Sequence, residues 1–338
     1  MSEKPAIAHL IRLQDLAEQE VEDLIDLALR MKRRAGGFQL NGRSVGLLFF
    51  RGSLRTRTSF EAAMNQLGGH TINLTASSDF WELEAAAGSK MDGRAPEHVK
   101  DAAAVLSRYV NALAIRPALA GQSWAVDRRD EGIQAWARYA RVPVINMESA
   151  LWHPLQALAD LMTLRESLGS LRGKKLSIVW THSPTPASSA VTNSLLLAAA
   201  RAGMRVQVAH PSGYELDDAV LAEATRAAES AGTTIETGLS AREATQAAHV
   251  VYARSWQSLE DYGNPTLSAS RRSRATGWMI DEALMKLGSD AKLMHAMPVR
   301  RNLEVTDEVL DGPRSLVYEQ AENRLHTQKA LLVKLLRA

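Results

Sequence analysis

The sequence predicts an α/β protein with two doubly wound domains, each built on a mainly parallel sheet. Three observations predict it. Short apolar runs alternate with helical stretches along the chain, and the alternation begins again near residue 150. A chain of 338 residues is also long enough to form two buried cores.

The first half starts with a helix and continues as strands and helices in turn. Residues 15–34 place Leu16, Val21 and Met31 on one face at helical spacing. Apolar runs predict strands at 44–50, 71–75, 111–115 and 142–146. Helices are predicted between them at 57–67, 97–109 and 129–140. Helical crossovers between strands are typical of a parallel sheet.

The second half repeats this organisation after a helix predicted at 153–169. Strands are predicted at 176–180, 205–209, 234–236, 250–253 and 293–295. Helices are predicted at 190–202, 215–231, 241–247, 280–287 and 319–337. The polar stretch 254–278 has no clear periodicity, and so long a connection is usually functional or mobile. We expect one domain over 1–150, a second over 151–318, and a C-terminal helix, 319–338, that packs back on the first.

Composition excludes several classes of protein. The 40 Lys and Arg residues nearly balance 38 Asp and Glu residues, so no nucleic-acid surface is indicated. There is no cysteine, which excludes a thiol nucleophile and a Cys-type zinc site. Residues 1–13 lack a signal-peptide pattern, and no apolar run is long enough to cross a bilayer. We expect a soluble, cytoplasmic protein that binds neither nucleic acid nor membrane.

The stretch Ser53–Thr58 carries two arginines and three hydroxyl groups directly after a predicted strand. Backbone N–H groups at the start of the following helix, together with the two guanidinium groups, would suit a phosphate. Ligands of open α/β sheets bind beyond the carboxyl ends of the strands, which is where this stretch lies. A solvated turn would explain the local pattern equally well.

Three further stretches combine polar side chains with the predicted ends of elements. His153–Gln156 opens a helix, with Pro154 in the first turn, where its missing N–H costs nothing, and Glu148 lies nearby in sequence. His295–Pro298 ends a strand, where free carbonyl groups could accept hydrogen bonds from a ligand. Arg324 belongs to a polar triplet in the last helix. Each stretch has an ordinary structural explanation when taken alone.

Together and in this order, these motifs resemble the aspartate/ornithine carbamoyltransferase family. The resemblance extends along essentially the whole chain. It implies an N-terminal domain that binds carbamoyl phosphate, a C-terminal domain that binds the amine, and homotrimers with shared active sites. It implies neither a metal nor a cofactor. It also implies a knotted C-terminal domain, in which the chain after Tyr252 threads the proline-rich loop 182–186.

The resemblance favours one branch of that family. Ornithine enzymes carry an Asp-x-x-x-Ser-Met-Gly motif, whereas the corresponding stretch here is Val251–Gln257 and contains no such carboxylate. The loop lysine of the aspartate enzymes has no counterpart, and Asp79-Phe80-Trp81 stands in its place. Phe80-Trp81, Met91–Gly93 and Val144–Glu148 instead resemble the N-acylornithine branch, which implies a step in arginine biosynthesis.

One loop, Met91–His98, indicates the acyl group. The acetylornithine enzymes resemble one another in having Glu at the position of Pro96, whereas the succinylornithine enzymes have Pro. A Glu there would repel the second carboxylate of a succinyl group, and Pro removes that charge. We therefore expect N-succinyl-L-ornithine as the acceptor, with N-acetyl-L-ornithine as the alternative.

The resemblance also implies the roles of individual residues. The catalytic set is Arg55, Thr56, Arg57, Arg116, His153, Gln156 and Arg324. The substrate-binding set is Ser53, Leu54, Trp81, Pro96, Glu148, His182, Arg254, Ala296, Met297 and Arg300, with Trp81 supplied by a neighbouring subunit.

Two other functions would share part of this pattern. A nicotinamide-dependent oxidoreductase would need a Gly-x-Gly-x-x-Gly turn after a strand, and none is present. A non-catalytic phosphate-binding paralogue is the more serious alternative, because Ala296 stands where the family has Cys and Arg254 where it has Lys. Met297 also replaces the usual Leu of the family.

Overall fold

A computed structural model describes residues 9–33 and 37–337 of the chain. Within them, two parallel sheets are flanked by helices, and the predicted two-domain α/β fold is confirmed. The predicted helix at 15–34 is found as α1, Glu18–Lys32, after a short 3-10 helix at Leu13–Asp15. Its predicted last residue, 34, lies outside the described residues.

The first sheet has four strands in the order β2-β1-β5-β6, all parallel. Its strands are β1 Ser44–Phe49, β2 His70–Thr75, β5 Ala112–Arg116 and β6 Val144–Asn146, and a separate two-residue pair is formed by β3 Leu83–Glu84 and β4 Glu97–His98. The helices between them are α2 Leu54–Gln66, α3 Val99–Leu106, α4 Trp124–Asp127 and α5 Glu131–Tyr139. β2 is added on one side of β1, and β5 and β6 are added on the other side. The order of strands therefore switches between β1 and β5.

The second sheet has five parallel strands in the order β11-β10-β7-β8-β9. Its strands are β7 Lys175–Trp180, β8 Arg205–Ala209, β9 Ile235–Leu239, β10 Val250–Arg254 and β11 Lys292–Met294. The helices are α6 Pro154–Leu168, α7 Ala190–Arg201, α8 Asp218–Ser230, α9 Ala241–Thr245, α10 Pro265–Arg274, α11 Glu282–Met285, α12 Asp307–Leu310 and α13 Val317–Leu336. Here the order of strands switches between β10 and β7.

The described chain divides into two compact units. One holds the chain up to Leu119, Asp127–Leu158 and the chain from Arg324 onward; the other holds Ala120–Val126 and Ala159–Asn323. The sequence placed the domain boundaries at 150 and 318, and those domain assignments stay a prediction. In the structure, the start of α6 groups with the first sheet.

One helix begins earlier than the sequence predicts, and another lies where no element is predicted. α2 begins at Leu54 rather than residue 57, because the Oγ of Ser53 accepts a hydrogen bond from the Thr56 N–H at 3.3 Å and caps the helix. The arginines expected in a loop therefore lie in the first two turns of a helix. α10 occupies part of the stretch 254–278 for which no element was predicted, with Asn264 as its cap.

The knot stays a prediction. In the second unit the loop 182–187 contacts the chain after β10, where the Gln257 N–H donates to the Ala187 carbonyl at 2.9 Å. The same loop contacts the region after α10, where the His182 N–H donates to the Trp278 carbonyl at 2.9 Å. No helix among residues 9–33 and 37–337 is long and apolar enough to cross a membrane.

Candidate active site

Five of the predicted site residues of the first unit lie at the N-terminus of α2, from its cap Ser53 to Arg57. β1 is a buried, mainly apolar strand, and Ser53, four residues after its end, caps the helix. No acidic residue lies in the first turn of α2, so its exposed N–H groups keep their positive potential. At the other end Gly68, with φ of +75°, stops the helix in a backbone conformation that favours glycine.

Arg57 is oriented by two contacts on the neighbouring strands. Its guanidinium carbon lies 4.3 Å from the centre of the Phe49 ring, and Nη2 donates to Thr75 Oγ1 at 2.8 Å. Phe49 ends β1 and Thr75 ends β2, so both contacts lie at the carboxyl edge of the sheet. This edge is the expected place for a ligand of a doubly wound domain.

Arg324 connects three helices within the first unit. Its Nη1 donates to Gln156 Oε1 at 2.7 Å and its Nη2 donates to Thr56 Oγ1 at 3.1 Å. All three side chains are almost fully buried. The structure thus brings together three of the predicted catalytic residues, from α2, α6 and α13. Two of the donors of this buried guanidinium group thus contact neutral oxygen atoms, one of an amide and one of a hydroxyl group.

Arg116 and Glu148 form an ion pair at the ends of β5 and β6. Arg116 ends β5 beside Phe49 of β1, and its Nη1 donates to the Met147 carbonyl at 3.5 Å. Its Nε is buried and has no hydrogen-bond partner among the described residues. Glu148 has a positive φ of 141°, which is unusual for a residue with a side chain and common at functional sites. The sequence grouped Glu148 with the amine-binding residues, and the structure pairs it with Arg116.

The remaining predicted residues of the first unit differ in exposure. His153 is buried directly before α6, and its carbonyl accepts the Gln156 N–H at 3.0 Å. Leu54 is 75% exposed, so its side chain faces away from the core. Trp81 is 55% exposed, and its indole N–H donates to Glu97 Oε2 at 2.8 Å. Pro96 is exposed beside Glu97, just before β4.

In the second unit, His182 and Arg254 lie at the carboxyl ends of the two strands at the switch point. Arg254 ends β10 and pairs in register with Trp180, the last residue of β7. The Nε of Arg254 is buried and has no hydrogen-bond partner among the described residues. His182 Nδ1 lies 3.2 Å from the Ala275 carbonyl, and since a carbonyl only accepts, Nδ1 carries the proton.

Arg300 contacts the loop after β7. Its Nε donates to Ser183 Oγ at 3.1 Å and its Nη2 to Thr185 Oγ1 at 2.9 Å. Ala296 and Met297 follow β11, and the Met297 N–H donates to His295 Nδ1 at 2.9 Å. Each predicted residue of the second unit therefore lies beyond the carboxyl end of a strand or contacts a loop there.

Family models match both halves of the chain. The model of the aspartate/ornithine carbamoyltransferase carbamoyl-P binding domain matches residues 8–166. The model of the aspartate/ornithine binding domain of the same enzymes matches residues 173–335. The chain belongs to the aspartate/ornithine carbamoyltransferase family. It is a carbamoyltransferase, and the predicted enzyme class is confirmed.

Individual carbamoyltransferases are similar over nearly the whole chain. The N-acetylornithine carbamoyltransferase of Xanthomonas campestris pv. campestris is 38% identical over 98% of this chain and 98% of its own. The ornithine carbamoyltransferase of Acidothermus cellulolyticus is 40% identical over 98% of this chain and 97% of its own.

Solved structures of carbamoyltransferases agree with the fold described above. Acetylornithine transcarbamylase complexed with acetylcitrulline has a TM-score of 0.94 and 38% identity, covering 97% of this chain and 99% of that one. A glutamate-to-proline variant of N-acetyl-L-ornithine transcarbamylase, complexed with carbamyl phosphate and N-succinyl-L-norvaline, gives the same score and identity, covering 97% and 100%.

Several residues that contact the predicted carbamoyltransferase site were missed by sequence reasoning. Arg51 donates from Nη2 to the Glu148 carbonyl at 2.7 Å, and Ser183 accepts from Arg300. Glu304 is buried, accepts the Arg300 N–H at 2.7 Å, and lies 3.4 Å from His295 Nε2. Arg51 and Glu304 lie close in sequence to predicted motifs, which is the only signal that could have found them.

Proposed function

We propose that this protein transfers the carbamoyl group of carbamoyl phosphate to the δ-amine of an N-acylated ornithine, giving the N-acylcitrulline and phosphate. The observation that carries the proposal is the buried contact of Arg324 with Thr56 and Gln156 beside the N-terminus of α2. This contact gathers positive charge and N–H donors at the edge of the first sheet. The phosphate group of carbamoyl phosphate carries the complementary charge.

The phosphate group of the donor is assigned to the start of α2. Ser53 and Leu54 supply backbone N–H groups there, and Arg55 and Arg57 supply guanidinium groups on the same turns. Arg57 is already oriented by Phe49 and Thr75, so little side-chain freedom is lost on binding. Developing charge on the leaving phosphate is stabilised by the same groups.

The carbamoyl oxygen is assigned to Arg116, His153, Gln156 and Thr56. Arg116 offers its Nε, which has no partner among the described residues, while its other donors contact Glu148 and Met147. A guanidinium group has five N–H donors, so one side chain can serve both tasks. Donors fixed before reaction stabilise the oxyanion of the tetrahedral intermediate.

The acceptor is assigned to Glu148, His182, Arg254 and Arg300, which contact its acyl and carboxylate groups. The carbonyl groups of Ala296 and Met297 are assigned to the carbamoyl NH2. The neutral δ-amine attacks the carbonyl carbon, a C–N bond forms, and the C–O bond to phosphate breaks. The amine proton passes to the departing phosphate or to His153. Because a free amine of this kind has a pKa of about 10, turnover rises with pH above neutrality.

N-acetyl-L-ornithine is the acceptor best supported by the relatives, since the similar enzyme of Xanthomonas campestris and the similar solved structure both bear that substrate in their names. These names support the alternative of the sequence prediction better than its first choice of N-succinyl-L-ornithine.

N-succinyl-L-ornithine remains a second candidate because of Pro96. Variants of the acetyl enzyme in which one glutamate is replaced, including by proline, have been solved with carbamyl phosphate and N-succinyl-L-norvaline. If that glutamate matches Pro96, as the resemblance in the 91–98 loop implies, this chain lacks the charge that would repel a succinyl carboxylate. The exposed Arg94 nearby is positively charged, and its Nε lies 3.8 Å from Glu82 Oε2.

A phosphate-release assay with carbamoyl phosphate and four amines in parallel tests both the reaction and its acceptor. The amines are ornithine, N-acetylornithine, N-succinylornithine and aspartate. We expect turnover with an acylated ornithine only. Preference for ornithine or aspartate would refute the branch, and no turnover with any amine would favour the non-catalytic paralogue.

Pro96→Glu tests the acyl group directly. We expect this change to lower kcat/KM for N-succinylornithine relative to N-acetylornithine by about tenfold or more, since two like charges would then face each other. The matched control is Ala95→Glu, which adds the same charge one residue away. An unchanged ratio in Pro96→Glu would show that this loop does not select the acyl group.

We also propose a homotrimer in which Trp81 completes the site of a neighbouring subunit. Leu54 and Trp81 support it, because both are large apolar side chains that stay mostly exposed in the single chain. Analytical ultracentrifugation should give a mass of three chains. A single-chain mass for the active enzyme would contradict this assembly.

A further inference from the structure

The loop between β6 and α6 carries two residues of the proposed site, Glu148 near its start and His153 at its end. We infer that Asp130 and Arg51, neither of which is assigned to the substrates, are positioning residues that hold this loop in its active geometry. The inference rests on the proposed function for the roles of Glu148 and His153. The contacts that carry it all lie within the first unit.

Asp130 holds the middle of the loop through three hydrogen bonds. Its Oδ2 accepts from Ser149 Oγ at 2.6 Å and from the Leu151 N–H at 3.4 Å, and its Oδ1 accepts from the Ala150 N–H at 2.8 Å. Asp130 is only 8% exposed, so these bonds are shielded from water. A buried carboxylate with three donors on consecutive residues fixes their backbone, because any rearrangement would leave it without partners.

Asn146 extends this contact to both ends of the loop. Its Nδ2 donates to Ser149 Oγ at 2.9 Å and to the Trp152 carbonyl at 3.3 Å. Its Oδ1 accepts the Glu148 N–H at 3.0 Å. Asn146 is fully buried at the end of β6. The Ser149 hydroxyl therefore accepts from the amide and donates to the Asp130 carboxylate, which couples the two side chains.

Arg51 holds the start of the loop from the opposite side. Its Nη2 donates to the Glu148 carbonyl at 2.7 Å, and its Nε donates to the Pro117 carbonyl at 3.0 Å. One planar guanidinium thus joins the segments that follow β1, β5 and β6. With its N–H and its carbonyl both held, Glu148 keeps its positive φ of 141° and directs its carboxylate to Arg116.

The far end of the loop sets the start of α6. The Ser149 N–H donates to the Trp152 carbonyl at 2.9 Å, which closes the loop just before His153. The His153 carbonyl then accepts from Gln156 and Ala157 in the first turn of the helix. A shift of the loop would therefore move His153 and Gln156 together. A displacement of about 1 Å of groups that contact a reacting centre can cost a hundredfold in rate.

Asp130→Asn is the first test. Asn tolerates the left-handed backbone of this position, where φ is 52°, so the backbone is not newly strained. The change replaces one carboxylate oxygen by an NH2 group, which cannot accept from the loop. We expect kcat with the acylornithine to fall at least about tenfold. The KM for carbamoyl phosphate should stay within about twofold, since the phosphate is held by α2.

Arg51→Lys is the second test, because it keeps the positive charge and removes the planar guanidinium group that donates to two carbonyl groups. The same split between kcat and KM is expected. Glu131→Gln is the matched control for Asp130→Asn, since it removes an exposed carboxylate one residue away and should leave both constants unchanged. Activity within twofold of the parent in both Asp130→Asn and Arg51→Lys would overturn the inference.

Hydrogen exchange gives a readout that does not depend on activity. In Asp130→Asn the amides of a peptide spanning 147–153 should exchange about tenfold faster, because the Ala150 and Leu151 N–H groups are held by different oxygens of Asp130 and one of them loses its acceptor. The exchange of α2 should be unchanged. Unaltered exchange at 147–153 would refute the positioning role, whereas faster exchange in an enzyme that transfers carbamoyl to no amine would refute only the proposed function.

Discussion

Arg57 is the residue on which the phosphate assignment depends most directly. Its stacking on Phe49 and its bond to Thr75 fix the guanidinium before a ligand arrives. Neither contact is with a carboxylate, so the positive charge is not neutralised. The positive charge of Arg116, by contrast, is compensated by the carboxylate of Glu148.

Arg57→Ala should reduce turnover by roughly a hundredfold or more while the fold persists, since one donor in such a site stabilises the transition state by about 3 kcal/mol. Phosphate release measures the turnover, and a thermal unfolding midpoint reports the fold. Arg43→Ala, at an exposed position of the same unit, is the control for the lost charge. Normal turnover in Arg57→Ala would refute the assignment of the phosphate group to this arginine.

Functional residues that lie within one short motif could be predicted from the sequence, whereas contacts between residues far apart in the chain could not. Ser53, Arg55 and Arg57 sit within five positions of one another, so a short pattern suffices to find them. Asp130 is held by residues 19 and 20 positions away, and Arg51 by a carbonyl 97 positions away. Such contacts follow from the fold and leave no local signal in the chain.

At the scale of elements, the start of α2 shows how one side chain sets both structure and chemistry. The prediction began this helix at residue 57, because its apolar periodicity begins at Phe60. The cap at Ser53 adds a turn that is polar, and a polar turn carries no periodic signal. The added turn is the one that presents N–H groups at the sheet edge.

Ser53→Ala and Ser53→Asp should separate capping from anion binding. Loss of the cap in Ser53→Ala should lower the free energy of unfolding by about 1 kcal/mol. Ser53→Asp keeps a capping oxygen, so stability should stay within about 0.5 kcal/mol of the parent, while phosphate affinity falls further than in Ser53→Ala. Urea unfolding and phosphate titration measure the two effects. Equal phosphate binding by both variants would argue against a ligand at this helix end.

α10 was missed for a related reason. Asn264 at the cap and Pro265 in the first turn are ordinary start signals. The helix buries no apolar side chain, and its one buried residue is Arg272. That side chain donates to the carbonyl groups of Ser183 and Trp256 at 3.2 and 3.3 Å. Burial lowers the pKa of Arg272. Helix periodicity cannot reveal an element that is anchored by an arginine rather than by an apolar stripe.

At the scale of the whole molecule, stability should depend on pH through Asp130. Burial raises the pKa of this carboxyl from 3.8 to about 6, although bonds from Ser149, Ala150 and Leu151 act the other way. The folded state then holds the proton more tightly than the unfolded state. The contribution of Asp130 to the free energy of unfolding is therefore most favourable below about pH 4 and falls as the pH rises toward about 6. Above that pH it is fully lost, which lowers the free energy of unfolding by about 3 kcal/mol relative to low pH.

Urea unfolding at pH 4.5 and pH 7 tests this dependence. Residue 130 cannot titrate in Asp130→Asn. The unfolding free energy at pH 7 minus that at pH 4.5 should therefore be more positive in this variant than in the parent protein. Glu131→Gln, which removes an exposed carboxylate, should keep the parent's dependence. The same pH dependence in Asp130→Asn and the parent would mean that Asp130 does not titrate in this range.

The sequence by itself determined the two parallel sheets, the arginine-rich start of α2 and the carbamoyltransferase family, because periodicity and short motifs are local properties of a chain. Only the tertiary structure decided that Glu148 faces Arg116, that Arg324 contacts Thr56 and Gln156, and that Asp130 holds the loop before His153. These contacts join residues from different strands and helices. Their geometry follows from the order of the strands in the sheet, which no local pattern encodes.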